Sequence, residues 1–212
     1  MGILKDGIFG PISGHVKNMV FYTVNGVNII RSKAEVKKEY TPSPAQKAST
    51  FRFALLSGFL KKVRPFIKIG FGAQSAGTNK SYHNLAASYN MRHAIHREPD
   101  TAEIIFDQLR LSEGVLMPAA NPQINLTPEG LNISWSTDDL PYPDSQNRAM
   151  LLVYFPDIQE AIMNIDGNKR ESGTEFLAIQ ETYRNQRMEA FLAFRANDSN
   201  EVSTSQYIGR IN

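Results

Sequence analysis

From Ile104 onward, Pro, Gly, Asn and Asp recur at intervals of roughly ten residues between short alternating apolar and polar runs, a rhythm that leaves no room for long helices. The runs fall at 123–127, 131–136, 148–155, 158–165, 174–180, 187–196 and 202–208. Short strands with turns at that spacing predict an antiparallel β-sandwich over 121–212, with its boundary between Ala119 and Pro122.

Ahead of the sandwich the pattern changes. Residues 16–24 and 27–32 read as strands joined by Asn25-Gly26, a pair that favours a type I′ turn because both positions accept positive φ. That turn sets Val24 opposite Val27, Tyr22 opposite Ile29 and Phe21 opposite Ile30. Both faces of the hairpin then carry large apolar side chains, and both should be covered by something else. Thr41-Pro42-Ser43-Pro44 breaks the strand pattern. Ser43, Pro44 and Gln46 supply the N-cap, the first-turn proline and the third position of a capping box.

The helix that follows places Ala48, Phe51, Leu55 and Phe59, with Leu56, Leu60 and Val63, at spacings of three and four. Lys61, Lys62 and Arg64 complement its carboxyl end, and Pro65 ends or kinks it. A second helix is expected over 80–95, with Tyr82, Leu85, Ala86 and Tyr89 on one face, after a Gly-, Ala- and Ser-rich loop at 70–77 that reads as a flexible connector. The lead over 1–14 separates short apolar pairs with Gly2, Gly7, Gly10 and Gly14 and has no core of its own. The expected fold class is α+β, mainly β with two helices. It comprises an extended lead over 1–14, a β-hairpin plus helical domain over 15–120 and the sandwich over 121–212.

With 212 residues the chain can build two modest cores. Apolar residues at 42% and charged residues at 21% exclude a wholly disordered or collagen-like chain. A formal charge of +2 provides no sustained field for a phosphate backbone, so nucleic acid is not an expected partner. No apolar run is long enough to span a bilayer, and no standard secretory signal is visible at the amino terminus, so no membrane contact is expected. The absence of cysteine removes disulfides, thiolate nucleophiles and Cys-ligated zinc, while leaving the compartment open.

The remaining chemistry is sparse. His93 and His96 are three apart, a spacing that one helix face can use to hold a metal, but their neighbours are Arg92, Arg97 and a lone Glu98. Ordinary polar roles at a helix end are the simpler reading. The glycines from Gly70 to Gly77 do not match Gly-x-Gly-x-x-Gly in spacing, and the final Gly77 is followed directly by Thr78-Asn79 rather than by the Lys-Ser or Lys-Thr pair of a phosphate loop. Asp138-Asp139 and Glu98 with Asp100 are the nearest approach to carboxylate pairs, and no serine stands in a nucleophile elbow. The basic runs around Arg31, Lys33, Lys37 and Lys38 are interleaved with Glu35 and Glu39. Asn79, Asn125, Asn132 and Asn197 stand in sequons, which points to surface positions only. No catalytic residue, cofactor site or metal site is expected, and the chain does not read as an enzyme.

Two resemblances add to this. Seven strands with Trp135 in the second and Ala190-Phe191-Leu192-Ala193-Phe194 in the sixth resemble an immunoglobulin-like or fibronectin type III sandwich, which implies a fold and no chemistry. The lead Gly7-Ile8-Phe9-Gly10-Pro11-Ile12-Ser13-Gly14-His15-Val16, the hairpin Asn25-Gly26-Val27-Asn28-Ile29-Ile30-Arg31-Ser32 and the helix segment Ala45-Gln46 with Phe51-Arg52-Phe53-Ala54-Leu55 are similar to a bacterial family of about this length. That family is filed as a domain of unknown function, and its pattern commonly has Lys where His15 stands. Its members resemble protomers of extracellular bacterial fibrils joined end to end by an exchanged strand.

The resemblance implies a structural subunit that assembles with itself, outside the cell or at its surface. The apolar residues of the lead, Ile3, Leu4, Ile8, Phe9 and Ile12, are the candidate assembly interface. Physically, an apolar segment without local partners can complete a neighbour's sheet, and a head-to-tail contact that does not close propagates as a filament. Burial of each such side chain returns roughly 1.5–3 kcal/mol, while ordering each residue costs about 1–2 kcal/mol, so strand hydrogen bonds and a second contact surface must contribute. The opposing reading packs the lead on its own hairpin. Other classes are a carbohydrate- or protein-binding module, for which Tyr142 between Pro141 and Pro143 is the loop aromatic and a glycan the partner, and a phage-tail-like virion component.

Overall fold

A computed structural model of the chain describes residues 2–4, 12–24, 26–34, 41–96, 102–138 and 140–212. Among these the architecture is α+β and mostly β, with eleven strands in three antiparallel sheets and four α-helices. The amino-terminal sheet contains β1 (Gly2–Leu4), β2 (Gly14–Val16), β3 (Met19–Val24) and β4 (Val27–Ser32) in the order β1-β4-β3-β2. The β3·β4 register is the expected one, with Val24 opposite Val27 and Phe21 opposite Ile30. Gly26 takes φ 79 in the turn, and Asn25 lies outside the described residues. The single strand expected over 16–24 is instead two, because Lys17, at φ 52, and Asn18 form a second two-residue turn that folds β2 back on β3. Without a glycine, that turn is hidden inside an apolar run.

Helix α1 (Pro44–Lys62) starts where the capping residues set it. The Ser43 Oγ accepts from the Gln46 amide at 3.3 Å, and the Ser43 amide donates to Gln46 Oε1 at 2.8 Å. The helical path breaks at Val63 and resumes as α2 (Arg64–Gly70), with Pro65 in its first turn, where its missing N–H costs nothing. A single turn, α3 (Gly72–Ser75), precedes α4 (Tyr82–His93), whose N-cap Ser81 accepts from the Asn84 amide at 3.1 Å. Four helices therefore stand where two were expected. The 70–77 segment is partly helical rather than a free connector. Gly70 is needed for space, since a Cβ there would overlap the Leu111 carbonyl oxygen.

The remaining strands are β5 (Ala120–Thr127), β6 (Gly130–Ser136), β7 (Arg148–Phe155), β8 (Glu160–Asn164), β9 (Thr174–Ala178), β10 (Met188–Arg195) and β11 (Gln206–Ile211). They form a four-stranded sheet, β11-β10-β7-β8, and a three-stranded sheet, β5-β6-β9. The last strand, expected over 202–208, begins only at Gln206 because the serines before it bond elsewhere. Ser205 Oγ accepts from the Leu111 amide at 2.8 Å, and Ser112 Oγ donates to the Ser203 carbonyl at 2.7 Å.

Strands β7 and β10 explain the packing. Met150, Leu152, Tyr154, Phe191 and Ala193 share one core with Leu56, Phe59, Leu60, Phe66 and Ala86 of the helices. Leu151, Val153, Phe155, Leu192 and Phe194 share the other with Leu131, Ile133, Trp135 and Leu177 of the three-stranded sheet. The four-stranded sheet is thus buried on both faces, between a helical layer and a second sheet, which is why its central strands are almost entirely apolar, Glu189 and the flanking arginines excepted. Trp135 meets the Phe194 ring at 5.3 Å, and its Nε1 donates to the Arg170 carbonyl at 2.8 Å. No helix among the described residues is long and apolar enough to cross a membrane.

Candidate assembly interface

The amino-terminal sheet differs from the body in one respect: from Ile12 to Ala34 no described side chain is buried. Cross-strand neighbours share a face, so Val20, Tyr22, Val24, Val27 and Ile29 line one side, and Val16, Met19, Phe21 and Ile30 the other. Val16 remains 57% and Met19 49% exposed. The expected cover for the two faces does not come from the described remainder of this chain, whose packing contacts with the sheet amount to isolated touches such as Val27 beside the α3–α4 connection. The sheet's packing contacts are its own strand pairs, β1·β4, β4·β3 and β3·β2.

The expected interface residues are distributed as follows. Ile3 and Leu4 lie in β1, opposite Ile29 and Asn28 of the same chain. Ile12 precedes β2 and is 37% exposed. Ile8 and Phe9 lie outside the described residues. β1 and β2 flank the hairpin on opposite edges of the sheet.

A second uncovered element was read wrongly from periodicity. Helix α1 buries Leu56, Phe59 and Leu60, but Phe51 is 59% and Phe53 51% exposed. Only the second half of α1 lies on the four-stranded sheet; the first half overhangs it. Where the overhang begins, an open cleft of 440 Å³ is walled by Leu55, Phe59, Ile104, Phe106 and Tyr154. A larger groove of 690 Å³, between α2 and the segment after β10, carries Arg64, Lys68 and Arg195 with Glu201.

The buried polar groups are tied into the fold. Glu189, fully buried on β10, accepts from Arg187 Nε at 2.8 Å, Arg210 Nε at 3.1 Å and the Tyr207 hydroxyl at 2.6 Å. Burial, and then this bond to a carboxylate, push the Tyr207 phenol well above its ordinary range. Burial also raises Tyr154, with Glu160 adding to it. Arg170 stacks on Phe194 at 4.5 Å and donates to the carbonyls of Met117 and Pro118 at 2.8 Å each, and burial lowers its pKa. Asn90, missed in the sequence because a polar residue was not expected on the apolar side of α4, joins that helix to the strap below it. Its amide donates to the Arg110 carbonyl at 2.8 Å and its oxygen accepts from the Arg110 amide at 2.8 Å.

Helix α4 ends at His93, so His93 and His96 do not share a helix face, and both are exposed. Glu98, Asp100 and Asp139 lie outside the described residues, among which no three His, Asp or Glu side chains come together. The amino-terminal sheet and the start of α1 thus both present apolar side chains without cover from the described remainder of the chain. One family model, described as a family of unknown function (DUF6266), matches residues 11–209. No curated protein and no solved structure gives a match.

Proposed function

We propose, from the premise that the chain belongs to the DUF6266 family of unknown function, that it is a structural subunit which assembles head to tail into a filament by exchanging its amino-terminal strand. The observation that carries this reading is the amino-terminal sheet, apolar on both faces and without a buried side chain among the described residues from Ile12 to Ala34, beside a body with its own packed cores. An apolar sheet of this kind gains free energy only when covered, and a second copy supplies both a face and a free strand edge. The pairing of β1 with β4 is held by three residues, so the same register can form with the β4 of a neighbour. The exchange is heterologous, each copy giving one strand and receiving one, and it extends without closing.

The carboxyl-terminal region fits a fibronectin type III-like sandwich, a reading supported by its strand orders, β5-β6-β9 facing β11-β10-β7-β8. An extracellular or cell-surface position belongs to the same proposal. The rival, a carbohydrate- or protein-binding module, is favoured by one feature, Tyr142, which stands 82% exposed in the loop between β6 and β7.

The test is negative-stain electron microscopy with light scattering on the full chain and on a version lacking residues 1–14. Filaments from the first and monomers from the second are expected. Monodisperse full-length chains at high concentration would sink the reading and send the search to glycans and protein partners.

A further inference from the structure

The cleft at the root of the α1 overhang has features that the filament reading leaves unused. One wall is a single face of α1, on which Phe51, Leu55, Gly58 and Phe59 follow at spacings of four, three and one. The floor is aromatic, with Phe59 edge-on to Tyr154 at 4.7 Å and to Phe106 at 6.3 Å. Two charged residues line it, Glu103 and Arg187. Arg187 is fixed, its Nη2 2.7 Å from Glu189 and its guanidinium over the Phe106 ring at 5.5 Å. Phe51, left exposed, prolongs the apolar wall beyond the cleft.

Within its first fourteen residues the chain likewise carries one cation and one acid, Lys5 and Asp6, set between the apolar pairs Ile3-Leu4 and Ile8-Phe9. We propose that this cleft is the acceptor site for the lead of a second copy and takes its Ile8-Phe9 pair, with Lys5 and Asp6 meeting Glu103 and Arg187 at the rim. The proposal rests on the filament reading and supplies the second contact surface that strand exchange requires, since three residues of β1 cannot order a whole lead by themselves. The alternative groove beside α2 is a poorer match. It holds Arg64, Lys68 and Arg195 against Glu201, a cationic excess that a lead of balanced charge does not use. The occupant is committed by chemistry: apolar side chains for an aromatic floor, one charge of each sign for one of each sign.

Gly58 makes the idea testable without harm to the fold. It is exposed, and a Cβ built on it meets nothing within 4 Å, so Gly58→Leu sets a branched side chain at the cleft wall and removes a glycine from a helix interior. The full-length variant keeps its lead, so it donates but cannot accept. It should fold with an unchanged or higher Tm, form no filaments alone, and shorten wild-type filaments when added in small amounts, because each incorporated copy ends growth. Gly72→Leu, equally unobstructed but beside the other groove, should assemble like wild type. If Gly58→Leu makes filaments as readily as wild type, or is folded and inert toward wild-type growth, the cleft is not the acceptor while the filament reading stands. If wild type itself forms none, the filament reading fails first and this proposal with it.

Discussion

Positions 3 and 29 face each other across the β1·β4 pairing, in a chain with no cysteine to compete, so Ile3→Cys with Ile29→Cys converts strand exchange into a gel experiment. Opposed residues of an antiparallel pair have Cβ atoms about 4.5–5.5 Å apart, and a disulfide bridges about 3.5–4.5 Å, so closure asks for only a small adjustment. Within one chain the bridge closes a loop of about 26 residues (29 − 3), which removes roughly 3.5 kcal/mol of chain entropy from the opened state. That corresponds to roughly three hundredfold against opening, and the covalent lock forbids exchange until it is reduced. Dilute chains oxidised before assembly should run as monomers on a non-reducing gel and form no filaments, with growth restored by dithiothreitol. Filaments grown reduced and then oxidised should give a ladder of interchain multimers. Locked chains that assemble at the wild-type rate, or oxidised filaments that yield only monomer bands, would refute exchange.

Glu189→Ala leaves two guanidinium groups and a phenol without their shared acceptor. Because Arg187 and Arg210 are 34% and 56% exposed and regain water, a loss of about 2–3 kcal/mol is expected in urea unfolding, below the usual cost of breaking a fully buried ion pair. Tyr207 and Tyr154 have raised pKa values in the folded chain, so the stability they contribute is fully present below about pH 10 and is lost as pH rises above it, where the unfolded chain releases its phenol protons first. Urea midpoints measured from pH 8 to pH 11 should fall at the alkaline end, and less steeply in Tyr207→Phe; equal slopes would contradict the burial argument. Phe51→Ser and Phe53→Ser lie on the overhang, so each should change folding stability by no more than about 0.5 kcal/mol, and a loss above 2 kcal/mol by calorimetry would mean that α1 is buried there after all.

What the sequence made legible is what short-range rules determine. The Ser43 and Gln46 capping box, the register set by the Asn25-Gly26 turn and six of the seven sandwich strands follow from side-chain chemistry within a few residues. What it hid depends on distant partners. Ser203 and Ser205 delay β11 because they bond to residues near 112, and Gly70 serves the approach of Leu111 rather than flexibility. Lys17-Asn18 turns the chain without the glycine that would announce it. The start of α1 has the periodicity of a core helix, and periodicity alone cannot say whether a core lies beneath it.

That last point is also the argument for assembly. Phe51 and the hairpin residues Val20, Tyr22, Val24, Phe21 and Ile30 are patterned for burial in the same way as Leu152 or Phe194, yet only the latter find a core within the chain. The central strands β7 and β10 offer the sheet no free face, because they are already covered on both sides, by the helical layer and by the three-stranded sheet. Among the described residues the amino-terminal sheet and the start of α1 both carry this unmet pattern, and the proposed exchange and cleft would bring the two together in neighbouring copies. If the two surfaces serve one interface, Gly58→Leu in the cleft and the oxidised lock on β1 should each abolish filament growth without weakening the body against urea.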